Sequence, residues 1–137
     1  MTGYYLALDL GDVRVGLAKS DPLGLFATPL PFVPIRELES AIRTHLPACK
    51  GLVIGHPVNL KGETAQKAQW VETMVEKIRV AFPDLPIHMV DERFTTVIAG
   101  QKIRESGMPK KKREEKGKVD SWAAAEILQS FLDRQVR

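Results

Sequence analysis

Three acidic points, each beside an apolar run, are the residues of this chain best suited to chemistry. Asp9 closes one short apolar run, and the pair Asp91 and Glu92 closes another. Asp120 stands just before a run whose apolar residues have helical spacing. Carboxylates at strand ends and at a helix start can converge on a divalent cation, because hard cations take oxygen ligands. A site of that kind can hydrolyse a phosphodiester bond, which is the candidate chemistry here.

Each acid also has a structural explanation. Asp9 could be a turn residue that bonds the backbone near Gly11. Successive strand side chains point to opposite faces, so at most one of Asp91 and Glu92 points into a site. The sequence favours Glu92 slightly and leaves Asp91 open as an additional acid.

Asp120 fits two roles. As the residue before a helix it is suited to N-capping, which typically contributes ~1 kcal/mol. Asp120, Ala124, Ile127 and Phe131 also have the spacing i, i+4, i+7 and i+11, which places them on one stripe of the helix. If this stripe packs on the sheet, the carboxylate at its start would point toward the end of the sheet. Both roles stay open.

One basic segment carries the excess charge of the chain. Residues 110–118 hold six Lys or Arg and two Glu, whereas the rest holds 14 basic and 15 acidic residues. A concentrated basic loop is suited to displacing counterions from nucleic acid, although a solvated loop would look the same. The predicted contacts with the nucleic-acid backbone are Arg14, Lys110, Lys111, Lys112, Arg113, Lys116 and Lys118.

The elements that must position these residues are three strands at the start of the chain, followed by alternating helices and strands. A tight-turn signal at Gly11 predicts a hairpin, and Pro29 and Pro31 predict that the third strand lies at an edge. The pattern predicts an α/β fold, a mixed five-stranded sheet flanked by helices, in one domain over 1–137. Trp70 and Trp122 are predicted to pack, and His56 is predicted to lie in a loop. Strands are predicted over 4–9, 13–19, 27–33, 51–55 and 87–90, and helices over 36–46, 64–82, 95–106 and 121–136.

Composition narrows the class of protein. The chain is 44% apolar and 27% charged over 137 residues, which is typical of a water-soluble globular domain. It has no run long enough to span a membrane and no signal-peptide pattern at its start. Cys49 is the only cysteine, so no intrachain disulfide can form. We therefore expect a cytoplasmic protein with no membrane partner.

Four stretches together resemble the RuvX/YqgF family, which has the RNase H-like fold of RuvC-type resolvases. The first two are ALDLGDVRVGLA at 7–18 and LVIGHPVNLKG at 52–62. The more specific two are VDERFTT at 90–96 and KGKVDSWAAAEILQ at 116–129. His56 and Val13 depart from the usual pattern, and the strand at 51–55 lacks the acid that RuvC-like enzymes carry there.

The resemblance implies a metal-dependent nuclease that matures the 5′ end of precursor 16S rRNA, with resolution of branched DNA junctions as the alternative. Carried over by position, Asp9, Glu92 and Asp120 would be the catalytic, metal-binding acids. We expect Mg²⁺ or Mn²⁺, with Asp9 bridging two ions and the other two acids each holding one. The oligomeric state is left open between monomer and homodimer.

Two rival functions remain. One is a nucleic-acid-binding module without turnover, which would bind RNA in a salt-dependent way and yield no metal-stimulated product. The other is a phosphotransferase of the sugar-kinase or actin type, because the residues Asp-Leu-Gly-Asp at 9–12 resemble a phosphate loop of that superfamily. Such enzymes generally need two such domains, and this chain has the length of one.

Overall fold

The computed structural model describes residues 3–57, 63–91 and 121–135. Within them the chain forms five strands and three α-helices. The strands are β1 (Tyr4–Leu10), β2 (Arg14–Ser20), β3 (Ala27–Pro34), β4 (Cys49–His56) and β5 (Ile87–Asp91). The helices are α1 (Leu38–His45), α2 (Glu63–Ala81) and α3 (Trp122–Gln135).

The five strands form one mixed sheet in the order β3-β2-β1-β4-β5. β1 and β2 form the predicted antiparallel hairpin, and β3 continues it antiparallel to β2. β4 and β5 are added parallel on the other side of β1. β3 lies at the edge, as its prolines predict, because Pro29 and Pro31 have no N–H to donate to a further strand. The predicted mixed, helix-flanked sheet is confirmed.

Strand alternation divides the core into two layers. Leu8 of β1 and Ile54 of β4 face a large aliphatic cluster that includes α1 and α2. Ala7 and Val53 face the opposite way, into a cluster built on α3. The α3 layer is rich in alanine, which lets the helix approach the sheet closely. The two faces of the sheet therefore have different chemistry beside them.

Buried polar groups fix α3 on the sheet. The Oε1 atom of Gln129 accepts the Ala27 N–H at 3.0 Å, and its Nε2 donates to the Leu25 carbonyl at 2.8 Å. The Oγ atom of Ser121 accepts the Leu17 N–H at 3.0 Å. Both side chains are buried, so losing either bond would leave a backbone group unsatisfied. These bonds set the register of α3 along β2 and β3.

Some predicted boundaries were wrong. The helix predicted over 36–46 begins at Leu38, because Ile35–Glu37 forms a 3₁₀ turn first. β4 extends at both ends of the predicted strand, and His56 is its last residue rather than part of a loop. The helix predicted over 95–106 lies outside the described residues. Among the helices that the structure describes, none is long and apolar enough to cross a membrane.

Candidate active site

Asp9 lies near the carboxyl end of the central strand β1. It has the same orientation as Ala7, so its side chain is on the α3 face of the sheet. At this level neither flanking strand contributes a side chain. Gly16 is the register partner of Asp9 on β2, and Gly55 follows Ile54, the β4 partner of Leu8. No side chain therefore stands directly opposite the carboxylate on β2 or β4.

The turn that follows Asp9 is closed by the main chain. The N–H of Gly11 donates to the carbonyl of Arg14 at 3.0 Å. A Cβ at position 11 would lie 2.6 Å from that carbonyl oxygen, so the close approach requires glycine. The interpretation of Asp9 as a side chain that bonds the backbone at Gly11 is therefore wrong. Its carboxylate is left for another partner.

Burial dominates the electrostatics of Asp9. Desolvation raises the pKa of its carboxyl above the ordinary value, and the positive charge of Lys67 on α2 opposes this rise only in part. No residue in the described ranges 3–57, 63–91 and 121–135 donates a side-chain hydrogen bond to it. A half-buried, desolvated carboxylate is stabilised in its charged form by a cation brought close to it.

Asp91 lies on the other face of the sheet. Its neighbour Val90 belongs to the α3 layer, whereas Asp91 and Met89 line a cleft of about 420 Å³ beside α2. Asp9 and Asp91 are therefore not brought together on one face, although both lie at carboxyl ends of parallel strands. Glu92, the other acid of this pair, lies outside the described residues.

His56 sits in the same cleft as Asp91. Its Nε2 lies 3.1 Å from Oε1 of Glu72 on α2. The predicted loop position was wrong because the pairing of β4 with β5 runs on to His56 and Asp91, the last pair of the register. His56 therefore faces the α2 side and not Asp9.

Arg14 starts β2 on the Asp9 side of the sheet. It alternates with Val15, which faces the α1–α2 layer. Its guanidinium lies over the ring of Phe32 on β3, with Cζ 4.8 Å from the ring centroid. A cation held against a partly buried ring loses part of its rotamer freedom before a ligand arrives. This arrangement suits a phosphate contact at the same end of the sheet as Asp9.

The start of α3 is anchored beside Asp9. Ser121 bonds Leu17, and Leu17 follows Gly16, the residue opposite Asp9. The predicted stripe of Ala124, Ile127 and Phe131 is buried against the sheet, as expected. Asp120 itself, like residues 110–118, lies outside the described part of the chain.

Lys67 is a residue that sequence reasoning missed. It lies in the second turn of α2, and its charge lowers the pKa of Asp9 across the carboxyl edge of the sheet. The only signal in the sequence was its place soon after the start of the helix that follows β4. Across the described ranges, no group of three or more His, Cys, Asp or Glu is placed to hold a metal ion.

Comparison with solved structures defines the class of fold. The chain superposes on RuvC of Thermus thermophilus, solved in complex with a Holliday junction substrate, with a TM-score of 0.61 at 14% identity. The superposition covers 96% of each chain. The fold is thus the RNase H-like fold of RuvC, with the carboxyl end of the central strand carrying an aspartate.

Sequence comparison defines the family. A family model described as "RuvX: Holliday junction resolvase" matches residues 3–134, and the chain belongs to this family. A Fusobacterium nucleatum relative is 41% identical over 94% of this chain and 96% of its own. A Chlorobium phaeobacteroides relative is 35% identical over 93% of this chain and 90% of its own. Both relatives are named "Putative pre-16S rRNA nuclease".

Proposed function

We propose that this chain is a divalent-metal-dependent nuclease that hydrolyses phosphodiester bonds during 5′-end maturation of precursor 16S rRNA in the cytoplasm. The observation that carries the proposal is Asp9, a half-buried carboxylate on the central strand whose pKa is raised by burial. The names of relatives that match nearly the whole chain support the choice of rRNA as substrate.

The donor set fits a hard divalent ion. Asp9, Glu92 and Asp120 would supply carboxylate oxygens, which are the ligands that Mg²⁺ and Mn²⁺ prefer. When bound, such ions activate water and stabilise the charge that develops on phosphate oxygens. The desolvated Asp9 carboxyl supports this assignment, because an adjacent cation offsets the cost of burying its negative charge.

The structure of their neighbours guides the choice of the other two acids. Asp91 faces the α2 cleft and not the face of Asp9, which supports the choice of Glu92 as the second acid. Ser121, the residue after Asp120, accepts a hydrogen bond from the Leu17 N–H on β2, the strand paired with the strand of Asp9. This bond supports the choice of Asp120 as the third acid. We therefore assign Asp9, Glu92 and Asp120 as the catalytic acids.

The protein side chains would hold and orient the substrate backbone. Arg14, stacked on Phe32, would bind a phosphate on the face of the sheet that carries Asp9. The basic segment 110–118 would add contacts that depend on salt and not on sequence. Lys67 would hold a further phosphate oxygen near Asp9 and keep that carboxylate ionised.

Resolution of a DNA junction is the second candidate function. The description of the family and the RuvC fold favour it. Symmetric cutting would need two sites that face one junction, and hence a homodimer. Substrate choice therefore separates the two functions experimentally.

The test is cleavage of end-labelled RNA that spans the 5′ boundary of 16S rRNA, beside a four-way DNA junction, with Mg²⁺ or Mn²⁺. We expect RNA products from the wild type, and loss of these products in Asp9→Asn, Glu92→Gln and Asp120→Asn. Asp91→Asn is the matched control, because its side chain faces the other side of the sheet, and it should retain cleavage.

Paired symmetric nicks in the junction, with the RNA intact, would instead support the resolvase. RNA binding by the wild type without a metal-stimulated product would support a binding module. Cleavage by Asp9→Asn at the wild-type rate would contradict the assignment of the site.

A further inference from the structure

A second cavity lies at the carboxyl edge of the sheet, on the α2 side of Asp9. Its volume is about 360 Å³, and its lining includes the β1–β2 turn and the first turns of α2. This size falls in the range of roughly 300 to 1,000 Å³ that small-molecule sites occupy. The described lining residues are Gly11, Asp12, Gln66, Lys67 and Trp70.

Helical spacing gathers the three α2 residues on one side. Gln66 and Trp70 are four residues apart, and Lys67 and Trp70 are three apart, so all three neighbour one another on the helix surface. Trp70 packs partly against the core and also lines the cavity. The predicted packing of Trp70 against the core is therefore confirmed.

The cavity and Asp9 are linked through two of the lining residues. Gly11 follows Asp9 by two positions, and the charge of Lys67 acts on the Asp9 carboxyl. Lys67 is thus common to the cavity and to the surroundings of Asp9.

The chemistry of the lining suits a base better than an isolated phosphate. Among the described lining residues, Lys67 and Asp12 cancel in formal charge. The Trp70 indole offers a stacking surface, and the Gln66 amide can both donate to and accept from the edge of a base. Lys67 is left to bind the phosphate between the base and Asp9.

We propose that this cavity is a subsite for one unpaired nucleobase adjacent to the phosphate that is cut at Asp9, stacked on Trp70. The proposal rests on the nuclease function proposed above and adds a substrate class to it. A base in a duplex is stacked on its neighbours and paired at its edge, so only an unpaired nucleotide can lie on the indole. The subsite therefore selects RNA that is single-stranded beside the cleavage point.

The test uses the fluorescence of Trp70 in a Trp122→Phe parent, which leaves Trp70 as the only tryptophan. The probe is a ten-residue oligouridylate in chelator, so that binding is measured without cleavage. We expect saturable quenching of Trp70, and none with an RNA duplex at the same concentration. The complementary Trp70→Phe protein, which retains Trp122, should bind the probe with no change in fluorescence.

Variants then separate stacking from folding. By anisotropy of a labelled probe, Trp70→Leu should weaken binding about tenfold, the order expected for loss of one base stack, whereas Trp70→Phe should retain most of the affinity. Gln66→Ala and Lys67→Met alter exposed side chains, so they test the subsite without disturbing the core. Each should weaken binding of the oligouridylate, and Gln66→Ala should leave the melting temperature unchanged.

The outcomes keep the two proposals apart. Asp9→Asn in the Trp122→Phe parent should lose cleavage and keep quenching, which would support both. Cleavage that depends on Asp9 without any quenching of Trp70 would overturn the subsite alone. Quenching of equal size by duplex and single-stranded RNA would also overturn it, because an unpaired base would then not be required.

Discussion

Asp9 and Asp21 are aspartates at opposite ends of the sheet, and their surroundings differ. Asp21 follows β2, and its Oδ1 accepts the N–H groups of Leu25 and Phe26, each at 2.8 Å. Burial alone would raise the pKa of the Asp21 carboxyl, but these and further backbone donors outweigh it and leave the pKa lowered. At Asp9 burial prevails and the pKa is raised.

The difference shows how a structural carboxylate can be told from a functional one. The loop after Asp21 is closed by the aspartate itself, whereas the turn after Asp9 is closed by the Gly11 N–H and the Arg14 carbonyl. Within the described residues, the fold thus supplies hydrogen-bond donors to the Asp21 carboxylate, whereas it supplies Asp9 only with the nearby charge of Lys67. Burying a carboxylate with few donors around it costs stability, and such a cost is commonly found where a ligand or reaction needs the group.

The largest expected effect is on cleavage. Asp9→Asn should lower the rate on precursor rRNA by at least about a hundredfold, the order by which loss of one preorganised electrostatic group lowers kcat. Asp21→Asn should leave the rate within about twofold, because it acts at the far end of the sheet. Initial rates at saturating metal measure both. Similar losses in the two variants would mean that Asp9 has no special role in cleavage.

The next effect concerns metal binding to the folded protein. A ligand at 100 times its Kd stabilises the folded state by about 2.7 kcal/mol, so Mg²⁺ or Mn²⁺ should raise the Tm of the wild type by several degrees. Asp21→Asn should show the same rise, and Asp9→Asn should show little or none. The measurement is thermal unfolding in chelator and in increasing metal. An undiminished shift in Asp9→Asn would remove Asp9 from the metal site.

A smaller effect distinguishes cations at the two ends of β2. Arg14 lies over Phe32 near Asp9, and Lys19 lies over Tyr4 at the other end, 5.6 Å from the ring centroid. Arg14→Ala should weaken binding of single-stranded RNA about fivefold and reduce the slope of log K against log salt by about 0.7. Lys19→Ala should change neither quantity. Titrations at four salt concentrations measure the slope.

Substitution of Phe32 tests whether its ring holds Arg14 in place for binding. Phe32→Leu should cause part of the loss seen in Arg14→Ala, because the guanidinium is no longer held on a ring. In the Arg14→Ala background it should add nothing, since the ring would then have no cation to position. An additive loss in the double variant would mean that Phe32 acts by another route.

Local patterns in the sequence predicted much of the fold. The hairpin followed from the Gly11 turn, the edge position of β3 from its prolines, and the sheet-facing side of α3 from the spacing of Ala124, Ile127 and Phe131. Each depends on neighbours within a few residues, which is why the sequence reveals it. The same locality explains the correct identification of Asp9 as a strand-end acid.

The remaining features depend on contacts between distant segments. The position of His56 in β4 required the register with β5, and the face of Asp91 followed from the same pairing. Lys67 acts on Asp9 from another element, and Gln129 bonds Ala27 across 102 residues. No pattern within a short window encodes such pairs, so the candidate site could be predicted only as a set of acids without their geometry.

The smallest expected effect is on the stability of the metal-free protein, where the two aspartates should act with opposite sign. In chelator at pH 7, Asp9→Asn should raise the free energy of unfolding by on the order of 1 kcal/mol, because it removes a desolvated charge. Asp21→Asn should lower it by about 0.5 kcal/mol, a small value because the carboxylate is near solvent. The folded-state pKa of Asp21 lies below its ordinary value, so its contribution is present above that value and is lost as the pH falls through the lowered pKa. Urea unfolding of wild type and Asp21→Asn should therefore differ at pH 7 and converge in acid, and a gap that widens in acid would mean that Asp21 is not held by its backbone donors.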